Sequence, residues 1–170
     1  MSFLTLDDDD RVIAETAAAF AVKRLAPHAL DWDHSKEFPV EVLRDAAELG
    51  GMAAIYCAED VGGSGLRRLD AVRIFEQLST ADPPALAAFL SIHNMCAWMV
   101  DTYGTDDQRK SWIPPRLASM EAIASYCLTE PGAGSDASAL RTKAVRDGDA
   151  TSSTGSSSSS PARAARTCTS

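Results

Sequence analysis

The sequence predicts a mainly α-helical domain that passes, beyond residue 120, into the first strands of a β region. Three observations carry this. Apolar residues recur at three- and four-residue steps through most of the first 120 positions, as one buried helix face requires. At Ala122 that spacing gives way to a half-apolar stretch ending in prolines and glycines, the pattern of a strand running into a turn. From Ala150 onward no apolar residue is larger than Ala, Pro or Cys, so the last stretch has little with which to build a core.

Each element has its own signals. Thr5 reads as the cap of a first helix, with Asp7 to Asp10 in its opening turn, where carboxylates favour the positive dipole end. Val12, Ile13, Ala17, Phe20, Ala21 and Leu25 form its expected buried face. Pro39 opens a second helix with the stripe Val42, Leu43, Ala46 and Leu49, stopped by Gly50-Gly51. Val61-Gly62-Gly63-Ser64-Gly65 lacks a following Lys-Ser/Thr and is expected to be a tight connection with positive φ rather than a phosphate loop. A third helix runs through Leu69, Val72, Phe75 and Leu78, and Pro83-Pro84 break it. The fourth, Ala85 to Tyr103, is apolar nearly all round and therefore central. Gly104 ends it, and Thr105 to Gln108 start a fifth. Ala122 to Thr129 and Arg141 to Val145 are strand candidates, the latter closed by Asp147-Gly148-Asp149.

Composition bounds the function. The 170 residues are 45% hydrophobic and 24% charged, a globular balance for about one domain. With 24 acidic against 16 basic side chains the net charge is −8, which disfavours nucleic-acid or anionic-membrane partners. Cys57, Cys96, Cys127 and Cys168 and His28, His34 and His93 are scattered without metal-ligand spacing, so no metal is expected. The N-terminus lacks a basic-then-apolar layout and Ala85 to Val100 is too short for a bilayer span, which points to a soluble, reducing, cytoplasmic setting.

The segment with chemical potential is Tyr126 to Asp136. A strand emerging into Pro-Gly-Ala-Gly-Ser offers backbone N–H groups uncrowded by side chains, and its glycines let the chain curl so that those donors meet an anion such as a pyrophosphate. Thr129 and Ser135 add hydroxyl donors for a flat ring or its phosphates. On glycine spacing alone, an ordinary surface turn is the favoured explanation of the segment.

The whole string Tyr126-Cys127-Leu128-Thr129-Glu130-Pro131-Gly132-Ala133-Gly134-Ser135-Asp136 closely resembles the flavin-binding signature of acyl-CoA dehydrogenases. The resemblance extends through Glu37 to Val40, Asp60 to Leu66 and Ser91 to Met99, and is nearest to the isobutyryl-CoA branch. It implies FAD-dependent α,β-desaturation of a short branched acyl-CoA, with a glutamate removing the α-proton, hydride passing to the flavin and an electron-transfer flavoprotein taking the electrons. It implies a family helical domain over 5–120, the start of the middle β domain with the flavin motif over 121–149, and homo-oligomers in the parent family. FAD contacts are implied for Tyr126, Cys127, Leu128, Thr129, Gly132, Gly134 and Ser135, with the Thr129 hydroxyl donating to the isoalloxazine and Gly134 and Ser135 at the pyrophosphate. Acyl-CoA contacts are implied for Ser135, Ser91 and Met95.

Other residues read structurally. His93 is expected to be a satisfied core histidine, Trp98 a packing residue and Cys127 a buried small hydrophobe. Glu130 lies inside the motif and does not match the family's base, which belongs to a C-terminal bundle beyond the matched residues, so no catalytic residue is assigned. The sequence is expected to represent a truncated chain, inactive alone. Residues 150–170 depart from the family pattern and read as a disordered Ser-rich tail, one that codons AGC-AGT-TCA-TCT-CCG-GCG for Ser157 to Ala162 would yield from a frame that otherwise encodes Gln-Phe-Ile-Ser-Gly. The reading from another class is a non-catalytic helical module for acyl-CoA or a partner protein; within the enzyme class it is an acyl-CoA oxidase.

Overall fold

The computed structural model describes residues 8–81, 85–148 and 150–155, and the chain divides between Ala124 and Ser125 into two units. Thr5, Asp7, Pro83-Pro84, Asp149 and residues 156–170 lie outside the described residues.

The first unit is helical. α1 (Asp8–Phe20) opens on three aspartates and continues as a π turn, Ala21–Leu25, closed by the Ala26 N–H on the Ala21 carbonyl at 2.9 Å. α2 (Ala29–Ser35) follows, a short helix that the apolar spacing does not announce. α3 (Val40–Gly50) starts after Pro39 and ends on Gly51, whose φ of +62° is the left-handed cap foreseen for the glycine pair. α4 (Arg68–Ser79), α5 (Ala85–Tyr103) and α6 (Asp106–Trp112) complete the set. Thr105 caps α6 in a capping box: its Oγ1 accepts the Gln108 N–H while its own N–H donates to Gln108 Oε1 at 2.9 Å. A second π turn, Ile113–Leu117, holds Pro114 and Pro115, which have no N–H to contribute.

Ala17, Phe20, Ala21, Leu25, Leu43, Ala46, Ile74, Leu78, Leu86 and Leu90 form the main core. Two expected faces need correction. Val12 is 62% exposed, and on α4 Leu69 and Val72 are 50% and 59% exposed while Asp70, Ala71, Ile74 and Leu78 are buried. The cause is ionic. Asp10 of α1 and Asp70 of α4 are both buried and share Arg67 and Arg73, so the α1–α4 contact turns the two carboxylates inward and leaves three aliphatic side chains largely in water.

The glycine-rich connection closes back on the loop before it. A 3₁₀ turn, Glu59–Val61, leads into Gly62 at φ +78°, and Gly65 has φ +60°. The N–H groups of Ser64, Gly65 and Leu66 donate to the carbonyls of Ala54, Cys57 and Ile55. At Gly63 a Cβ would lie 2.2 Å from the Cys57 carbonyl oxygen, so only glycine fits. This is the tight connection that the spacing predicts.

The second unit holds one antiparallel hairpin. β1 (Lys143–Asp147) pairs with β2 (Ala150–Thr154), with Lys143 opposite Thr154 and Asp147 opposite Ala150. Two strand expectations change. The candidate at Arg141 to Val145 starts two residues later, because the N–H groups of Arg141 and Thr142 go to Glu130 instead of a strand. Ala122 to Thr129 joins no ladder among the described residues, and a strand without a partner is not a strand. The tail begins later than Ala150, since Ala150–Thr154 supplies β2; its small polar side chains cost nothing on a hairpin exposed on both faces.

Among the described residues no helix is long and apolar enough to cross a membrane, and no group of His, Cys, Asp and Glu is arranged to hold a metal.

Candidate functional site

In the helical unit, the chemistry-bearing residues sit on α5. Ser91 and Met95 lie one turn apart on one face, Ser91 exposed and Met95 half-buried. His93, on the opposite side, and Asn94, on the flank between them, are fully buried. Trp98 is half-buried, edge-on to Tyr103 at 6.0 Å, and Arg68 lies over both Trp98 and Tyr56 at 4.7 and 4.1 Å.

Asn94 was not singled out by sequence, yet it uses every polar atom it has. Its Oδ1 accepts the Ile55 N–H at 2.7 Å, and its Nδ2 donates to the carbonyls of Met52 and Leu90 at 2.7 and 2.9 Å. About two turns further, Asp101 accepts from the Ala58 N–H and from Arg109, which also reaches Asp60. The polar residues of an otherwise apolar helix are thus spent on holding the loop from Met52 to Val61. A polar residue among apolar neighbours, without a charge, is the one signal that could have marked Asn94.

His93 bridges two backbone groups. Its Nε2 lies 3.0 Å from the Leu117 carbonyl, and its Nδ1 lies 3.0 Å from the Ala124 N–H. An N–H can only donate, so Nδ1 is the bare nitrogen and Nε2 carries the proton. Burial pushes the imidazole pKa down and keeps the ring neutral. The expected satisfied core histidine is what the structure contains.

In the second unit, Tyr126 and Cys127 are exposed, and Leu128 and Thr129 are half-buried. Cys127 is therefore not the buried hydrophobe that composition suggests; without a neighbouring strand among the described residues, nothing covers alternate positions of the segment. Glu130 and Ala133 exchange reciprocal backbone hydrogen bonds of 3.0 and 3.1 Å around Pro131-Gly132, and Ala133 is buried. Gly134 and Ser135 follow, both exposed, and their N–H groups meet no protein acceptor among the described residues. Asp136 turns back to cap the short 3₁₀ turn Ala137–Ala139 through the Ser138 N–H.

The curl does not come from left-handed glycines. Neither Gly132 nor Gly134 has positive φ, and a Cβ on either would meet no atom within 4 Å. Neither the backbone conformation nor the packing of the chain therefore demands glycine at these positions. What a missing side chain does leave is a path for close approach to adjacent free N–H donors. That is the property a dinucleotide's pyrophosphate needs, and the residues fit that group.

Glu130 has a different role from a base. Its two carboxylate oxygens accept the Arg141 and Thr142 N–H groups, each at 2.8 Å. The Thr142 hydroxyl and these amides hold the carboxyl below its ordinary range. The residue ties the end of the motif loop to the start of β1. Glu130→Gln leaves one acceptor oxygen for two N–H groups, so amide exchange at Arg141 or Thr142 should quicken while α5 amides keep their rates. The pH dependence has a defined sign. With a folded pKa below the ordinary 4.5, the clasp is complete above that value and is lost as pH falls through the lower one, which amide shifts of Arg141 and Thr142 will follow.

Comparison with known proteins agrees with this architecture. Residues 7–121 match the family described as acyl-CoA dehydrogenase, N-terminal domain. Isobutyryl-CoA dehydrogenase, mitochondrial, of Dictyostelium discoideum is 55% identical over 144 residues, covering 85% of this chain and 34% of the relative. The chain thus spans about a third of that relative's length. A glutaryl-coenzyme A dehydrogenase solved as its glutaryl-CoA complex superposes with a TM-score of 0.85 at 30% identity, covering 94% of this chain and 40% of that one. A glutaryl-CoA dehydrogenase from Mycobacterium smegmatis, solved in complex with FADH2, gives 0.77 at 31% identity over 84% of this chain and 36% of its own. With more than half its residues matched to that domain, this chain belongs to the acyl-CoA dehydrogenase family.

Proposed function

We propose that this chain supplies the helical wall and the flavin-holding loop of an FAD-dependent dehydrogenase that desaturates a short branched acyl-CoA such as isobutyryl-CoA. The observation that carries the reading is the pair Gly134-Ser135: free N–H donors on a glycine position that neither the backbone nor packing requires. The substrate class rests on the 55% identity to the isobutyryl-CoA dehydrogenase of Dictyostelium discoideum.

When bound, FAD would take the β-hydrogen of the thioester as hydride. The chain's own contributions are binding and polarisation. Gly134 and Ser135 would direct N–H groups, and Ser135 its hydroxyl, at the pyrophosphate. Thr129 would donate its hydroxyl to the ring, favouring negative charge there. Ser91 and Met95 would line the acyl chain from α5. No described residue is placed as the general base, and Glu130 is engaged with two amides. The 170-residue chain alone is therefore expected to bind FAD weakly and to turn over no acyl-CoA. Transfer of the electrons to an electron-transfer flavoprotein and homo-oligomeric assembly are proposed for the parent enzyme on its resemblance to the family.

The test is an NMR titration of the ¹⁵N-labelled chain with FAD at millimolar concentration, which registers weak binding. Shifts are expected at Thr129, Gly134 and Ser135. Gly134→Val, whose side chain meets no protein atom nearby, should keep the hairpin and abolish those shifts. Unmoved motif amides in the wild-type chain would overturn the proposal; a response to isobutyryl-CoA without one to FAD would favour a non-catalytic acyl-CoA module.

A further inference from the structure

His93 invites a role beyond packing, because both partners of its ring lie outside α5. Leu117 closes the second π turn, and Ala124 stands two residues before Tyr126. Between them the chain makes a sharp exit. Met120 is fully buried with φ +57°, a left-handed conformation unusual for a bulky side chain, and the Ala122 N–H donates to the Arg116 carbonyl at 3.0 Å. After Ala122 the next backbone anchor among the described residues is the bond from the Ala124 N–H to the imidazole. An apolar residue at 93 would pack equally well in the core and leave that N–H without a partner. The ring thus links α5 to the backbone just before the motif.

We propose that His93 is a positioning residue for the flavin segment, its neutral ring spanning Leu117 and Ala124 to fix the point from which residues 125–129 depart. The inference rests on the flavin reading of the motif for its functional meaning, but the anchor itself can be tested without FAD. A core histidine that merely fills space has no preferred tautomer. One that accepts from Ala124 must keep Nδ1 bare, and that difference is visible.

The experiment uses the ¹⁵N-labelled 170-residue chain. In the wild type, the imidazole nitrogens of His93 are expected to show the neutral Nε2–H form. His93→Phe should keep the protection of Leu90 and Ala97 amides, raise exchange at the Ala124 amide by roughly tenfold or more, and lower order parameters at Ser125 and Tyr126. His93→Gln, with both a donor and an acceptor, should restore Ala124 at least in part. The FAD-induced shifts at Gly134 and Ser135 should need roughly tenfold more FAD in His93→Phe than in the wild type. An Nδ1–H or doubly protonated ring, or an Ala124 amide indifferent to His93→Phe, would overturn the anchor. If His93→Phe fails to fold, the wild-type tautomer decides: a bare Nδ1 with Nε2–H upholds the anchor, and an Nδ1–H ring rejects it. Absence of FAD-induced shifts in the wild type would overturn the flavin reading alone, whatever Ala124 does.

Discussion

Replacing Asn94 by alanine is expected to lower the stability of the helical unit by about 3 kcal/mol, because two buried groups of the Met52–Ile55 loop lose their partners at once. The Ile55 N–H now donates to Asn94 Oδ1, and the Met52 carbonyl accepts from Asn94 Nδ2; Met52 and Ile55 are themselves fully buried, so water cannot substitute without opening the core. The asymmetry of hydrogen bonding makes this a large effect: an intact bond adds modestly to stability, whereas an orphaned buried donor costs its whole desolvation. Thermal melts followed by far-UV circular dichroism should show a midpoint lowered by roughly 10 °C. Asn94→Asp should also destabilise, since it removes the donor and buries a charge. A loss below about 1 kcal/mol for the alanine variant would mean that the loop finds other partners.

The second large effect is expected from Asp70→Asn, again about 3 kcal/mol. Asp70 is buried, accepts from the Arg67 side chain at 2.8 and 2.9 Å and from Arg73 at 3.0 Å, and reaches the Arg67 backbone N–H at 2.9 Å. Without its charge, the ion pairs of Arg67 and Arg73 to Asp70 are lost, and the α1–α4 contact keeps one of its two buried carboxylates. Asp70 also makes this contact sensitive to acid. Hydrogen bonding to Arg67 holds the Asp70 pKa below its ordinary 3.8, so its contribution is complete above that value and is lost as pH falls through the lower folded one. Acid titration followed by circular dichroism should show the wild type losing helix below about pH 4 and Asp70→Asn showing a smaller acid-dependent loss. An unchanged acid profile in the variant would place the acid sensitivity elsewhere.

The site was legible to the extent that it is linear. Tyr126 to Asp136 is one continuous string, so residue order alone displays the hydroxyls, the glycines and their spacing. Glu130 stands within that string, yet its task was not readable there, because its partners are amides of Arg141 and Thr142 beyond an intervening turn. Cys127 shows the opposite error: composition makes a cysteine beside leucine look buried, but burial in a β segment depends on a neighbouring strand. His93 was recognised as a buried histidine, whereas its two acceptor and donor roles depended on where Leu117 and Ala124 come to rest.

Sequence alone determined the helical character of the first unit, the stops at Gly51 and Gly104, the Thr105 start of α6 and the tight glycine connection. These follow from propensities and caps that act within a few residues of one another. Only the tertiary structure decided which side of α4 faces inward, why Asn94 is needed, and how the chain leaves the helical unit past Met120 and His93. Those choices are set by polar groups that must find partners once water is removed, and such partners lie dozens of residues away, where no local pattern records them.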